Sequence, residues 1–477
     1  MPKQTFYWHD YETWGADPSR DRASQFAGVR TDEDLNIIGD PLVIYNRPTP
    51  DMVPQPEACL VTGITPQEAL EKGLSERDFI GAIHAELSQP GTCGVGYNSI
   101  RFDDEVTRYT LYRNFFDVYA REWQNGNSRW DLIDVVRLCC ALRPEGIEWP
   151  IGDNGAVSFK LERLTAANGL SHEAAHDALS DVHATIDLAR LIKREKPKLF
   201  DYALGLRKKQ QVAQLLDMNR QKPVLHISSR YPASRYCAAL VMPLAMHPVN
   251  KNSVIAVDLM ADPEPLIQLS AVEVARRVFS RAEDLDEGVE RIPLKEIHLN
   301  RSPMLATLNL LDDSAQARLQ IDMARCERHW QALSECTNLK AKLDDIYNQR
   351  QFEPETDPDR MLYSGGFFGN DDRRLMNDIL ECDGQKLAER SFPFTDKRLA
   401  ELLFRFRGRN YPESLLPEEQ GLWQEFCHQR VHQEDGGGSI TAAACLARID
   451  ELRADPGLGV DKLAVLKALE QYVQTLP

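Results

Sequence analysis

Three short runs of aromatic and β-branched residues near the N-terminus, Thr5–Trp8, Phe26–Arg30 and Pro41–Tyr45, constrain the fold most. Polar turns separate them, which marks them as strands. Helix starts then follow. Thr65-Pro66-Gln67-Glu68 is a capping box with Pro at the first helical position. Ser75 to Asp78 opens a second helix, with Phe79, Ile80, Ile83 and Leu87 at helical spacing. Thr92–Tyr97 reads as a further strand, and 102–116, 130–142, 158–167 and 177–193 read as helices. Strands first, then a helix–strand–helix alternation, imply an α/β domain with a mixed sheet.

The chain has 477 residues, more than one compact core accommodates, so two to four domains are expected. A basic stretch, 193–209, holds seven Lys or Arg and reads as a linker and domain edge. From 223 to about 310 the runs VLHIS, YCAALVMPLAM, SVIAVDLM, PLIQLS and IPLKEIHL read as strands, with one helix at 271–280. From 314 onward the pattern is helical. No run of about 18 apolar residues exists, so no membrane helix is expected. The ten cysteines are scattered without a C-x-x-C pair, which argues against structural zinc and fits a reducing cytoplasm. The net charge of −17 argues mildly against nucleic-acid binding taken alone. Screening over about 10 Å makes local distribution matter more than the sum.

Three polar clusters carry chemistry. In His9-Asp10-Tyr11-Glu12, at the end of the first strand, Asp10 and Glu12 project from one face. Adjacent carboxylates raise each other's pKa, and a shared divalent cation relieves that repulsion. Asn98-Ser99-Ile100-Arg101-Phe102-Asp103 places Asp103 in the first turn of a helix, a position the helix dipole alone also favours. Ala175-His176-Asp177-Ala178-Leu179-Ser180-Asp181 sets a His before a helix and an Asp one turn inside it. His172 with Asp177 fits the same H-x4-D spacing. Each cluster is weak by itself.

In this order the three resemble the signature of the DEDD exonucleases, histidine variant, which have a ribonuclease H-like fold. The resemblance extends to HDYETWG, VTGITPQEA, GYNSIRFDDEVTR, NSRWDLIDVVR, ALRPEGI and AHDALSDVHAT, which are similar to the bacterial exonuclease I family. The A-H-D-A context selects His176 and Asp181 over the alternative pair. The family order implies an exonuclease domain over 1–198, a β-rich SH3-like domain with flanking helices over 199–348 and an all-helical C-terminal domain over 349–477. It also implies a 3′→5′ exonuclease degrading single-stranded DNA to 5′-mononucleotides, in DNA repair and recombination. The rivals weighed are an RNA-trimming relative and a catalytically silent adaptor. Two additional domains argue against the first, and the full carboxylate set against the second.

Four carboxylates without Cys favour two Mg²⁺ ions, with Mn²⁺ able to substitute. Asp10 is assigned as bridging, Glu12 and Asp181 complete one site, Asp103 acts through water, and His176 is the general base. Residues 101–143 interleave seven arginines with aromatics, the pattern of a single-strand platform. Arg108, Tyr119 and Trp123 are expected as exposed contacts, with Arg137 among the basic residues. Trp14 and Gly15 are expected to border the terminal nucleotide, beside Glu12. Where the family reads S-F-R-L-E this chain has Lys160, a weaker bidentate phosphate partner than Arg. A further expected partner is the acidic tail of single-stranded DNA-binding protein, received by 193–209 with Arg143. A monomer is expected, and His428 and His432 are read as surface residues. The two later domains are expected to act as walls that retain the strand between cuts.

Overall fold

The structure is a computed structural model describing residues 3–172, 177–348 and 353–477. It divides into two compact units: 1–128 with 172–186 and 354–477, and 129–171 with 187–353. No helix among the described residues is long and apolar enough to cross a membrane.

In the first unit, β1 (Thr5–Thr13) pairs antiparallel with β2 (Ala23–Thr31), which pairs antiparallel with β3 (Leu42–Tyr45). Helices α1 (Pro56–Thr62), α2 (Pro66–Lys72) and α3 (Glu76–Leu87) follow. The capping signals act as read: Thr65 Oγ1 accepts from Glu68 N, and Ser75 Oγ from Asp78 N. β4 (Thr92–Gly96) then runs parallel to β1, which makes the sheet mixed. These four strands lie in the order β3-β2-β1-β4. β1 is covered on both faces, with Phe6, Tyr7, Trp8 and Tyr11 all buried. After β4 the chain turns through Asn98, in a left-handed conformation at φ 66°, and enters α4 (Asp103–Arg113). A Cβ on Gly96 would lie 2.6 Å from Ser99 Cβ and 2.9 Å from His9 O, so this turn requires glycine.

The helical segment 354–477 belongs to this unit rather than standing apart. Phe79, Ile80 and Ile83 of α3 and Leu111 and Tyr112 of α4 share one core with Met376, Ile379, Leu399, Leu402 and Phe406. A second core joins Trp14 and Cys59 to Cys445, Ile449, Leu466 and Tyr472.

The second unit contains an antiparallel five-stranded sheet ordered Met304–Ala306, Val224–Ile227, Ala238–Met246, Ser253–Asp258, Leu294–His298. Two expectations need correction here. PLIQLS is not a strand: Glu264–Gln268 is a short helix, because Asp262 Oδ1 caps Glu264 N at 3.0 Å and Pro265 fixes a helical φ in its first turn. The stretch 193–209 is not a linker. It ends one helix, Ala178–Glu195, and contains another, Pro197–Gly205, whose Leu199, Phe200 and Ala203 are buried.

Candidate active site

β1 pairs with β4 only as far as Trp8 and Val95. Asp10 and Glu12 therefore project beyond the last rung, on the C-terminal end of the parallel strand, where α/β sheets open their crevices. Past that rung the edge of β1 facing β4 has no strand to bond. Asp103, buried in the first turn of α4, fills that place by accepting Tyr11 N–H at 3.1 Å. Thr107 Oγ1 donates to Asp103 O at 2.8 Å and accepts from Tyr11 Oη at 2.9 Å, which ties α4 to β1.

The third carboxylate arrives on the helix Ala178–Glu195. Asp177 caps it, its Oδ2 accepting Ser180 N–H at 3.0 Å, and Asp181 lies in the first turn. Carboxylate oxygens of Asp10, Glu12 and Asp181 lie within 4.8 Å of one another. Among the described residues no other group of three His, Cys, Asp or Glu is this close. Burial, then Asp103, Glu12 and Asp181, push the Asp10 carboxyl well above its ordinary range. Burial, then Asp181, Asp103 and Asp177, push Glu12 up to about 8. Such a cluster is under strain when all its members are charged, and a cation is the direct relief. The donors are all oxygens, the set that suits a hard divalent ion. The spacing and the charge of these residues therefore fit a divalent metal.

His176 lies outside the described residues. The other imidazole of the spacing pair, His172, donates from Nε2 to Asp181 Oδ1 at 2.6 Å. Burial holds His9 down to about 4, and its ring packs on Phe26 and Tyr11. A neutral, enclosed imidazole is a poor proton acceptor for solvent. The nearness of Asp177 to Asp10 and Glu12 was not anticipated. Its signals in the sequence are its H-x4-D spacing from His172 and its place between His176 and Asp181.

Several residues expected to contact DNA are buried or already paired. Arg108 is 4% exposed and forked onto Glu122 at 2.8 and 2.9 Å, with Glu105 at 2.7 Å. It is a brace rather than an exposed contact. Trp14 is 1% exposed and sits in the core, while a Cβ on Gly15 would lie 2.3 Å from Asp21 Oδ2. Neither offers a side-chain surface. Arg137 is buried, paired with Asp134 at 2.6 Å and lying over the Phe159 ring at 5.7 Å. Trp123 is exposed and Lys160 largely so, with Glu162 3.9 Å from its amine. Tyr119 is half-buried, with Arg108 5.5 Å from its ring. His428 and His432 are exposed, and His432 Nε2 donates to Pro477 O at 2.9 Å. Arg143 reaches Asp312 at 3.3 Å.

The exonuclease family model matches residues 7–189, the exonuclease I SH3-like domain 207–349 and the exonuclease I C-terminal domain 356–476. Exodeoxyribonuclease I of Escherichia coli is 44% identical over 475 residues, covering 99% of this chain and 98% of the relative. A moderately thermophilic exonuclease I from Methylocaldum szegediense superposes with a TM-score of 0.96 at 49% identity, covering 99% of both chains. E. coli exonuclease I in complex with a dA16 oligonucleotide superposes at 0.94 with 43% identity, covering 100% of both.

Proposed function

The chain belongs to the bacterial exonuclease I family and is a 3′→5′ exonuclease of single-stranded DNA, and on that premise we propose that Asp10, Glu12, Asp103, Asp181 and His176 carry out its phosphodiester hydrolysis. The observation that supports this most is the set of carboxylate oxygens of Asp10, Glu12 and Asp181 within 4.8 Å, on the C-terminal extension of β1 and the first turn of a helix. Asp10, Glu12 and Asp181 would hold the Mg²⁺ ions directly and Asp103 through water, with Mn²⁺ able to substitute. When bound, such ions neutralise charge on the attacking and leaving oxygens. His176 takes the proton from a water whose oxygen bonds to phosphorus. The P–O3′ bond breaks, releasing a 5′-mononucleotide and leaving a new 3′-hydroxyl.

The reading keeps the segments 1–198, 199–348 and 349–477 as exonuclease, SH3-like and C-terminal helical parts. It makes the protein a processive, cytoplasmic monomer serving DNA repair. Lys160 and Trp123 remain candidate substrate contacts. The basic stretch 193–209 with Arg143 receives the acidic tail of single-stranded DNA-binding protein. That binding should weaken with salt, and its absence in low-salt calorimetry would remove the partner from the scheme.

Digestion of 5′-labelled single-stranded DNA, duplex DNA and RNA tests the main claim. A ladder shortening from the 3′ end is expected on single-stranded DNA with Mg²⁺, and none with chelator. Equal activity in chelator would overturn the metal assignment, and faster RNA cleavage would overturn the substrate.

A further inference from the structure

His428 and His432 take no part in the chemistry of the carboxylates. They lie one turn apart at the end of the helix Pro417–His432, so their side chains share a face. That face is in solvent: both rings are exposed, while Cys427, Arg430 and Val431 of the same turn are buried. Arg430 turns inward and donates to Asp357 at 2.7 Å. Among the described residues, no His, Cys, Asp or Glu side chain joins the two imidazoles in a close group of three. The fold brings up a main-chain donor instead. Beyond the helix Val460–Val473, Thr475 N–H donates to Tyr472 O at 2.9 Å and Leu476 N–H to Val473 O at 3.2 Å. The turn so formed carries Pro477 O to 2.9 Å from His432 Nε2.

These spacings fit one ion. Two imidazoles bound to a common ion through bonds of about 2.1 Å have ring centres about 5 Å apart. Here the centres are 4.6 Å apart, with the ring planes at 44°. Neighbouring donors on such an ion are separated by about 3.0 to 3.4 Å, close to the 2.9 Å between His432 Nε2 and Pro477 O. An ion can take the place of the proton between those two atoms once the ring carries its hydrogen on Nδ1. The electrostatic setting favours a cation. The last turn of a helix presents unpaired carbonyl oxygens and the negative end of the dipole, and exposed Glu434 and Asp435 follow directly in the chain. Two imidazole nitrogens and one oxygen suit Zn²⁺, Ni²⁺ or Cu²⁺, whereas the all-oxygen cluster around Asp10 suits Mg²⁺.

We propose that His428, His432 and Pro477 O form a second metal site, for a divalent transition ion such as Zn²⁺ or Ni²⁺, with water completing the coordination. The ion ties the residues after Val460–Val473 to the helix Pro417–His432. Val431, beside His432, and Leu466, Leu469 and Val473 share the core that encloses Trp14. The site therefore acts on the stability of that packing and not on cleavage.

The test is calorimetric titration of Ni²⁺ into full-length protein in excess Mg²⁺, which keeps the carboxylate cluster occupied. Wild type should bind an Ni²⁺ ion that His428→Ala and His432→Ala each weaken by at least about 100-fold, since losing even an outer hydrogen-bond partner of a ligand costs about 10- to 100-fold. Asp181→Ala should bind that ion as wild type does. Ni²⁺ should raise the melting temperature of wild type but not of the two His variants. It should also slow amide hydrogen exchange in 470–477 of wild type alone. Wild-type Ni²⁺ affinity in the folded His428→Ala/His432→Ala double variant would overturn the site, as would a loss confined to one of the two single variants. Unchanged exchange in 470–477 with Ni²⁺ bound would overturn the part given to Pro477 O.

Discussion

Asp10 and Asp181 stand where repulsion, not packing, explains them, so replacing either should remove function and spare the fold. Asp10→Asn or Asp181→Ala is expected to abolish Mg²⁺-dependent cleavage with an unchanged circular dichroism spectrum; near-normal turnover in Asp181→Ala would remove it from the metal set. His176→Ala should lose on the order of 10²–10⁴ in rate, the usual worth of a general base, while metal affinity persists. His172, hydrogen-bonded to Asp181 at 2.6 Å, is the control: a crippled His172→Ala beside an active His176→Ala would reverse the assignment. Glu12 ties metal-free stability to pH. Its folded-state pKa is raised to about 8 from 4.5. Between those values the native state holds more protons than the unfolded one, so metal-free stability falls as pH rises through that window. The loss is on the order of a few kcal/mol. In chelator, the melting temperature of wild type should drop from pH 5 to pH 8, and Glu12→Gln should flatten that slope. Parallel slopes would show that Glu12 is not the group responsible.

At the scale of elements, β1–β4, α3 and all strands of the second unit's sheet except Met304–Ala306 were legible because period and capping are local signals. Asp10 and Glu12 were legible for the same reason: two residues apart on a strand share a face. Arg108 was not legible. Its arginine–aromatic surroundings read as a nucleic-acid platform, yet Glu122 claims its guanidinium, and Tyr363, which accepts from its Nη1 at 3.1 Å, lies 255 residues away. The burial of Trp14 was not legible for the same reason, since the core it shares includes helices that begin after residue 440. The residue-level error has an element-level test. If Arg108 braces α4 against Glu105 and Glu122, Arg108→Ala leaves two carboxylates short of a partner in a largely buried place. That should cost about 3 kcal/mol, the scale of a broken buried pair. The salt dependence of DNA binding should keep its slope, because no phosphate contact is lost. A slope reduced by about one, with stability unchanged, would return Arg108 to the DNA.

At the scale of the whole molecule, every proposed catalytic residue precedes residue 200, which taken alone would let a fragment ending there cleave short oligonucleotides. The packing argues otherwise. The segment 354–477 supplies part of the core that Phe79, Ile83 and Phe115 share. It also supplies charge to a buried network. Asp51 accepts from Arg22 at 3.0 Å and from Arg409 at 2.8 Å, and Arg409 continues to Asp359 at 2.6 Å. Glu76 joins through Arg22 at 3.2 Å and Arg113 at 3.0 Å. Burial pushes Glu76 up, but Arg113, Arg22 and Arg409 outweigh it and hold it at about 2, so its contribution is present above 4.5 and lost as pH falls through about 2. Removing Arg409 and Arg430 would leave Asp51, now held far below its ordinary range, with Arg22 alone among its three arginine partners, in a site where an under-compensated charge costs several kcal/mol. It would also expose an aromatic core of which the missing helices are one wall. A chain truncated at 353 is therefore expected to be insoluble, or to bind a hydrophobic dye and lack cleavage on oligonucleotides of any length. Co-expression with 354–477 as a separate chain should restore both solubility and Mg²⁺-dependent cleavage. A monomeric, cooperatively melting 1–353 fragment that digests short oligonucleotides would show that the C-terminal helices serve only to retain the strand.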